Sequence, residues 1–222
     1  MPGIFENRDC MEAMAEMPDK AFELAIVDPP YGIGYSMRAA ARSGKREGNG
    51  KARNTTYASY DWDKDRPMET YFANIMRVSA NQVIFGGNYF SDMLPPSRCW
   101  LVWDKDNGET DFADFEMAWT SFKGSARFIK YQWNGMLQQS MKNREKRIHP
   151  TQKPAGLYRE ILRRFAKPGW RILDTHVGSG SSLIACEELG FQYAGYEINK
   201  EYFEKASARL KSAQMGLFSG AV

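Results

Sequence analysis

Six short runs rich in apolar residues punctuate the chain, at residues 23–27, 82–85, 100–103, 115–119, 170–173 and 193–196, and 127–131 is a seventh strand candidate. Each has the length of a buried strand; the first ends at Asp28 and the second at Gly86-Gly87. Between them lie stretches with helical spacing. Residues 155–167 set Leu157, Ile161 and Phe165 four apart, with Pro168-Gly169 as a stop, and residues 201–211 put Tyr202, Ala206 and Leu210 on one face. Such alternation predicts an α/β fold, a sheet with helices on both faces. With 222 residues and no internal repeat, the expectation is a single domain over 1–222.

Composition narrows the function classes. A hydrophobic share of 43% and a mean hydropathy of −0.56 describe a globular chain, and no apolar run is long enough to cross a membrane. The first residues lack the basic-then-apolar order of a secretion signal, which predicts a cytoplasmic protein. Cys10, Cys99 and Cys186 are far apart, and His149 and His176 are the only imidazoles. Neither a disulfide framework nor a metal site is expected.

The net charge of +3 says little about partners, but the charge is unevenly placed. Residues 37–54 carry Arg38, Arg42, Lys45, Arg46, Lys51 and Arg53 against Glu47 alone, without apolar periodicity. Residues 138–153 carry Lys142, Arg144, Lys146, Arg147 and Lys153 against Glu145. Both read as basic surface loops, the first mobile. A solvated insertion is the competing reading of the first.

Two motifs carry chemistry. Asp174-Thr175-His176-Val177-Gly178-Ser179-Gly180 follows a predicted strand and precedes a predicted helix, and its glycines permit close approach of a ligand to the backbone. Leu183 stands where a dinucleotide fingerprint has its third glycine, and no lysine follows as in a triphosphate loop. Glu197, about 20 residues on, ends the next strand, where a carboxylate reaches ribose hydroxyls. A nucleoside cofactor fits; an ordinary strand-to-helix turn is the alternative. In Asp28-Pro29-Pro30-Tyr31, the prolines remove two backbone donors, leaving a carboxylate, free carbonyls and an aromatic ring at the carboxyl end of a strand. That combination suits a planar heterocycle with an exocyclic amine. A stiff turn with a capping Asp is the other reading.

Asp28-Pro29-Pro30-Tyr31 followed downstream by Asp174-x-x-x-Gly178-x-Gly180 resembles the permuted, β-type amino-methyltransferases of phages and restriction–modification systems, in which the catalytic motif precedes the cofactor motif. The resemblance covers most of the chain. It implies a Rossmann-like S-adenosylmethionine-dependent methyltransferase fold with a mostly parallel central sheet and circularly permuted motifs. It also implies transfer of a methyl group to an exocyclic amine of a base flipped out of DNA. Asp28, Pro29, Pro30 and Tyr31 would be catalytic, with Asp28 and the Pro29 carbonyl accepting from the amine and Tyr31 stacking on the base. Asp9, Lys153, Asp174, His176, Gly178, Gly180 and Glu197 would serve the cofactor. In this resemblance Asp9 meets the adenine edge, and the segment from His149 to Pro154 lines the methionine end. One departure is Thr175-His176, where the family usually has Pro-Phe; His176 is expected to pack or hydrogen-bond there.

Asp at position 28 tilts the target toward N6 of adenine, since cytosine-N4 relatives more often have Ser; cytosine remains the alternative. Other substrate classes of this fold, RNA bases and protein amides, and a non-catalytic DNA-binding module also remain open. Phosphate contacts are expected from Arg38, Arg42, Lys45, Arg46, Lys142, Arg144 and Arg147. Target recognition is expected within residues 123–147. The tail, 212–222, reads as flexible; its Gln214, Leu217 and Phe218 resemble the peptides that bacterial replication enzymes insert into the sliding clamp, against a chance match. A monomer or homodimer in a bacterial or phage-infected cell would meet these expectations.

Overall fold

The computed structural model describes residues 3–34, 63–108, 113–134 and 137–219. The basic stretch 37–54, with Arg38, Arg42, Lys45 and Arg46, lies outside the described residues.

Eight strands form one sheet: β1 (Ile4–Glu6), β2 (Phe22–Val27), β3 (Ser79–Phe85), β4 (Leu101–Asp104), β5 (Phe115–Thr120), β6 (Arg127–Lys130), β9 (Arg171–Asp174) and β10 (Gln192–Tyr196). Two short strands, β7 (Trp133–Asn134) and β8 (Leu137–Gln138), pair separately as an antiparallel hairpin. The order across the sheet is β1-β10-β9-β2-β3-β5-β4-β6. The first five of these strands are parallel; β5 runs antiparallel to β3 and β4, and β6 is parallel to β4.

This order positions the two motifs. β9 and β10 slot between β1 and β2, and β9 pairs directly with β2, Leu24 opposite Ile172 and Ala25 opposite Leu173. Asp28 and Asp174 therefore leave the same edge of the sheet from neighbouring strands, although 146 positions separate them in sequence. Carboxyl ends of parallel strands are where open α/β sheets leave room for ligands.

Side chains of the central strands alternate between two cores, as their period of two requires. Leu24, Ile26, Val83, Phe85 and Ile172 face α3 (Ala155–Phe165), α4 (Ser181–Leu189) and α5 (Lys200–Ser219). Ala25, Val27, Ile84 and Leu173 face α1 (Cys10–Glu16) and α2 (Glu69–Val78). Each fully buried Leu or Ile among them contributes about 1.5–3 kcal/mol. Continuous apolar runs suit strands buried on both faces.

The sequence left α2 unassigned, although Tyr71, Phe72, Ile75 and Val78 form its buried face. Its last turn also supports α1: Arg77 donates to the carbonyls of Met14, at 2.6 Å, and Met17, at 2.7 Å, satisfying acceptors that a helix end leaves open. Two further expectations need correction. Residues 138–153 are not wholly a surface loop, because Gln138, Gln152 and Lys153 are buried. The turn before α3 closes on itself, with Gln152 accepting from Ile148 N–H at 2.9 Å and Trp133 donating its indole N–H to the Gln152 carbonyl at 2.8 Å. Nor does the flexible tail expected over 212–222 begin at 212: α5 continues to Ser219, and Gln214 donates to Glu187 at 2.6 Å, tying the helix to α4. No helix among the described residues is long and apolar enough to cross a membrane.

Candidate functional site

Asp28 follows the last residue of β2, and the backbone beyond it is held by Asp63, a buried carboxylate that accepts from Tyr31 N–H at 2.9 Å and Gly32 N–H at 3.0 Å. Tyr31 is fixed on three sides. Its hydroxyl donates to Asp28 Oδ1 at 2.7 Å, its ring stacks on Tyr89 with centroids 4.9 Å apart, and the edge of Phe90 lies at 6.1 Å. Arg66 holds Tyr89 in turn, donating to its carbonyl at 3.0 Å while pairing with Asp92 at 2.6 Å. Space for the Tyr31 ring comes from Gly86. A Cβ there would lie 2.2 Å from Tyr31 Cε1, and the backbone turns at φ +68° as β3 ends.

The ring expected to be presented for stacking is therefore already stacked on a second tyrosine. Asp28 is not a free acceptor either. Lys153 donates to its Oδ2 and also lies 3.1 Å from Glu116 Oε2, while Lys105 lies 2.7 Å from Glu116 Oε1. Four charges thus alternate in a row: Asp28, Lys153, Glu116, Lys105. Burial raises the Asp28 carboxyl above its ordinary value and Glu116 adds to this, with Lys153 and Tyr31 opposing. Burial would likewise raise Glu116, yet the two lysines hold it down, at about 2. Burial works against the Lys153 charge, but the two carboxylates raise its pKa, so the ammonium stays charged.

Two cavities meet at this row. The larger, of about 590 Å³, lies between Asp28-Pro29-Pro30-Tyr31 and a wall made by Trp103, Lys105, Glu116 and Trp133. The smaller, of about 230 Å³, lies between Asp28 and the glycine loop after β9. Asp28, Pro30, Thr151, Gln152 and Lys153 border both.

The smaller cavity gathers some of the residues assigned to a cofactor and not others. Lys153, His176, Gly178 and Glu197 line it, joined by His149 and Tyr202. Glu197 Oε2 accepts from Gly178 N–H and Oε1 from Asn199 N–H, both at 2.8 Å, so one carboxylate shapes the loop on each side. Gly178 has φ +54°, and the nearest atoms to a Cβ there would be those of the His149 ring at 3.8 Å, leaving the backbone open to a ligand. Asp174 lies below the cavity. It accepts from His176 N–H at 3.0 Å and from Ser182, and burial pushes its carboxyl up to about 7. Gly180 precedes α4, away from the lining. Asp9 caps α1, accepting from Met11 N–H at 2.6 Å, and is also outside the lining.

Both histidines are held neutral. Burial lowers His176 to about 4; its ring lies edge-on to Tyr71 at 5.3 Å, with Nδ1 3.0 Å from the Thr175 hydroxyl. His149 meets Tyr202 edge-on at 4.3 Å, and burial with the Lys153 and Lys205 charges lowers it to about 3.

Of the basic residues expected at a nucleic acid, Lys142 and Arg144 are exposed beyond the β7–β8 hairpin. Arg147 lies over the Trp133 ring at 4.7 Å and lines the larger cavity instead. Sequence reasoning missed Glu116, Lys105, Asp63 and Tyr89. A lone carboxylate inside the apolar strand 115–119 was the available signal for Glu116; Asp63 and Tyr89 gave none.

Comparison with known proteins then bears on this arrangement. A family model described as DNA methylase matches residues 91–208, just over half the chain. The protein named Putative methylase YubD, from Escherichia coli (strain K12), is 25% identical over 231 aligned residues, 98% of this chain and 94% of that protein. Type II methyltransferase M.HpaI of Haemophilus parainfluenzae is 40% identical over 77 residues, 35% of this chain and 24% of that protein. Among solved structures, the M1.HpyAVI–SAM complex aligns with a TM-score of 0.58 at 21% identity, covering 93% of this chain and 98% of that one. The cytosine-N4-specific PvuII DNA methyltransferase aligns with a TM-score of 0.59 at 13% identity, covering 99% and 94%. At these identities the two structures share the fold.

Proposed function

Because the chain belongs to the N6/N4 DNA methylase family, we propose that it transfers a methyl group from S-adenosylmethionine to the exocyclic N6 of adenine in DNA. One observation carries the reading: Asp28 stands in the wall shared by the two cavities. A donor in the smaller cavity and a base in the larger would meet at its carboxylate.

The smaller cavity fits the donor. Glu197 borders it and suits ribose hydroxyls, Gly178 leaves backbone exposed, and His149 and Tyr202 offer ring surface. Lys153, His176, Gly178 and Glu197 are its contacts in this reading, while Asp174, Gly180 and Asp9 shape the surrounding backbone. S-adenosylmethionine supplies an electrophilic methyl group on a cationic sulfur. The chain's own part is placement. Asp28 and the Pro29 carbonyl accept from the amine and turn its lone pair toward the donor cavity, a role of orientation and electrostatics. As the N–C bond forms, the S–C bond breaks and its electron pair stays on sulfur. The nitrogen then carries an extra proton, and the Asp28 carboxylate is the acceptor within reach. A base stacked and paired in a duplex cannot reach into this cavity, so the target must be flipped out. Tyr89 and Phe115, exposed where they line the larger cavity, offer apolar surface to it. Lys142 and Arg144, both exposed, are cations available for phosphate contacts in this reading.

Asp28 carries the choice of adenine. The fold is common to a cytosine-N4 enzyme, and a cavity of about 590 Å³ admits either base. The test is transfer of labelled methyl to unmodified DNA, followed by nucleoside analysis. N6-methyladenine supports the proposal, and N4-methylcytosine replaces it with its alternative. Label on RNA or protein alone, or no label, overturns it. Asp28→Ala is expected to abolish transfer while binding the donor; a variant that still methylates removes Asp28 from its role. A clamp contact finds no support in the position of Gln214, whose amide is turned to Glu187.

A further inference from the structure

The charged row beside Asp28 raises a problem for the reaction just proposed. Both carboxylate oxygens of Asp28 already have donors, Tyr31 on Oδ1 and Lys153 on Oδ2. An incoming amine can use a remaining lone pair of those oxygens, but its nitrogen gains positive charge as the N–C bond forms. An ammonium held on the same carboxylate opposes that charge. Tyr31 is locked by its stack on Tyr89 and by Phe90, so Lys153 is the donor able to yield.

Lys153 has somewhere to go. Its side chain is 4% exposed, and a buried ammonium leaves one carboxylate only for another. Glu116 Oε2 is that other, 3.1 Å from Nζ, and Lys105 anchors the opposite oxygen at 2.7 Å. Glu116 borders the larger cavity but not the smaller one, so a shift toward it draws Lys153 away from the donor side. The Phe85 ring, 4.6 Å from Nζ, offers its face to the cation where it now sits between the two carboxylates.

Resting on the proposed methyl transfer, we propose that Glu116 is a positioning residue that takes the Lys153 ammonium when the target amine occupies Asp28. Before the base arrives, Lys153 keeps the half-buried Asp28 charge compensated. Once it is seated, Glu116 holds Lys153 aside. Glu116 touches neither base nor donor in this scheme; it acts through the lysine.

The experiment measures single-turnover methyl transfer to unmodified DNA and donor affinity by calorimetry for wild type, Glu116→Gln, Glu116→Asp, Lys153→Gln and the Glu116→Gln/Lys153→Gln pair. Glu116→Gln keeps the shape and loses the charge, so transfer is expected to slow by about 10- to 100-fold with donor affinity unchanged. Glu116→Asp should recover most of that loss. With Lys153 already replaced, Glu116→Gln should change the rate by less than about threefold, because the two act as one unit. Unchanged transfer by Glu116→Gln, donor binding weakened as much as the rate, or an equal loss in the Lys153→Gln background overturns the inference. Should Lys153→Gln be too slow to measure, the rate-against-affinity comparison of Glu116→Gln and Glu116→Asp decides alone. A wild type that labels no DNA sinks the proposed function, whereas a labelling wild type with an indifferent Glu116→Gln sinks this inference only.

Discussion

Gly86→Ala places a methyl group where the Tyr31 ring now lies. Its Cβ would be 2.2, 2.6 and 2.7 Å from Cε1, Cδ1 and Cζ of that ring, far inside contact distance. A free side chain would swing away, but this one is stacked on Tyr89, packed by Phe90 and bonded to Asp28 at 2.7 Å. Two costs follow. A left-handed φ of +68° costs a residue with a Cβ about 1–2 kcal/mol, and forced overpacking costs about 1–3 kcal/mol more. The sum, about 2–5 kcal/mol, is a large part of the roughly 5–15 kcal/mol that holds a domain folded. Displacing Tyr31 also takes its hydroxyl from Asp28, so methyl transfer should fall with stability. The assay is urea unfolding of Gly86→Ala, Tyr31→Ala and the double variant, read by fluorescence, with transfer measured on the folded fraction. In the double variant the clash is gone, so its destabilisation should be smaller than the sum of the singles by about 1–3 kcal/mol. Additive losses, or a Gly86→Ala cost below about 1 kcal/mol, would refute the assignment of Gly86 as the space behind Tyr31.

His149 supplies a pH prediction. Its folded pKa is lowered from 6.5 to about 3, so the unfolded chain takes the proton first and stability is lost as pH falls from 6.5 toward 3. Full linkage between pH 7 and 5 would be about 2 kcal/mol; since the ring borders an open cavity, about 1 kcal/mol is expected. His149→Gln should lose less stability than wild type over that interval, and parallel curves would contradict the burial of a neutral imidazole. Glu197→Ala removes the acceptor for Gly178 and Asn199, and should weaken S-adenosylmethionine binding by roughly 10- to 100-fold in calorimetry; unchanged affinity would exclude Glu197 from the donor site. Arg209 reaches Glu145 from α5 and also holds Ser179 and Ser181, so Arg209→Met should lower stability by about 2 kcal/mol, less than the loss for a fully buried pair, and a neutral result would show the pair to be idle.

Strand positions were legible in the sequence: the seven runs match seven strands of the sheet to within a few residues, most plainly β2 and β3, which are parallel, buried over most of their length and rich in apolar residues. β1, at Ile4–Glu6, is too short for apolar spacing alone to show it. α2 escaped although its four apolar anchors had helical spacing, because no run of capping signals framed it: Met68 at its N-cap makes no side-chain bond. The site was half legible. Asp28, Gly178 and Glu197 sit in motifs with fixed spacing and could be read in one dimension. The row Asp28–Lys153–Glu116–Lys105 could not, since it joins the end of β2, the turn before α3, β5 and the residue after β4 through sheet register and the packing of that turn. Sequence assigned Lys153 to the donor; its carboxylate partners were what spacing had no means of showing.

The place of β9 and β10 in the sheet has a consequence for how the molecule comes into being. Among the described strands β1 has a single neighbour, β10, which leaves the ribosome nearly 190 residues later. Until β9 and β10 arrive, β2 presents one unpaired edge to the cell, and its apolar side chains lack half their cover. Pairings between residues so far apart close slowly. Completion of the sheet and of the site is therefore late: β2, β3, β5, β4 and β6 can pair earlier, but a nascent chain that stops before β9 lacks both a complete core and the glycine loop.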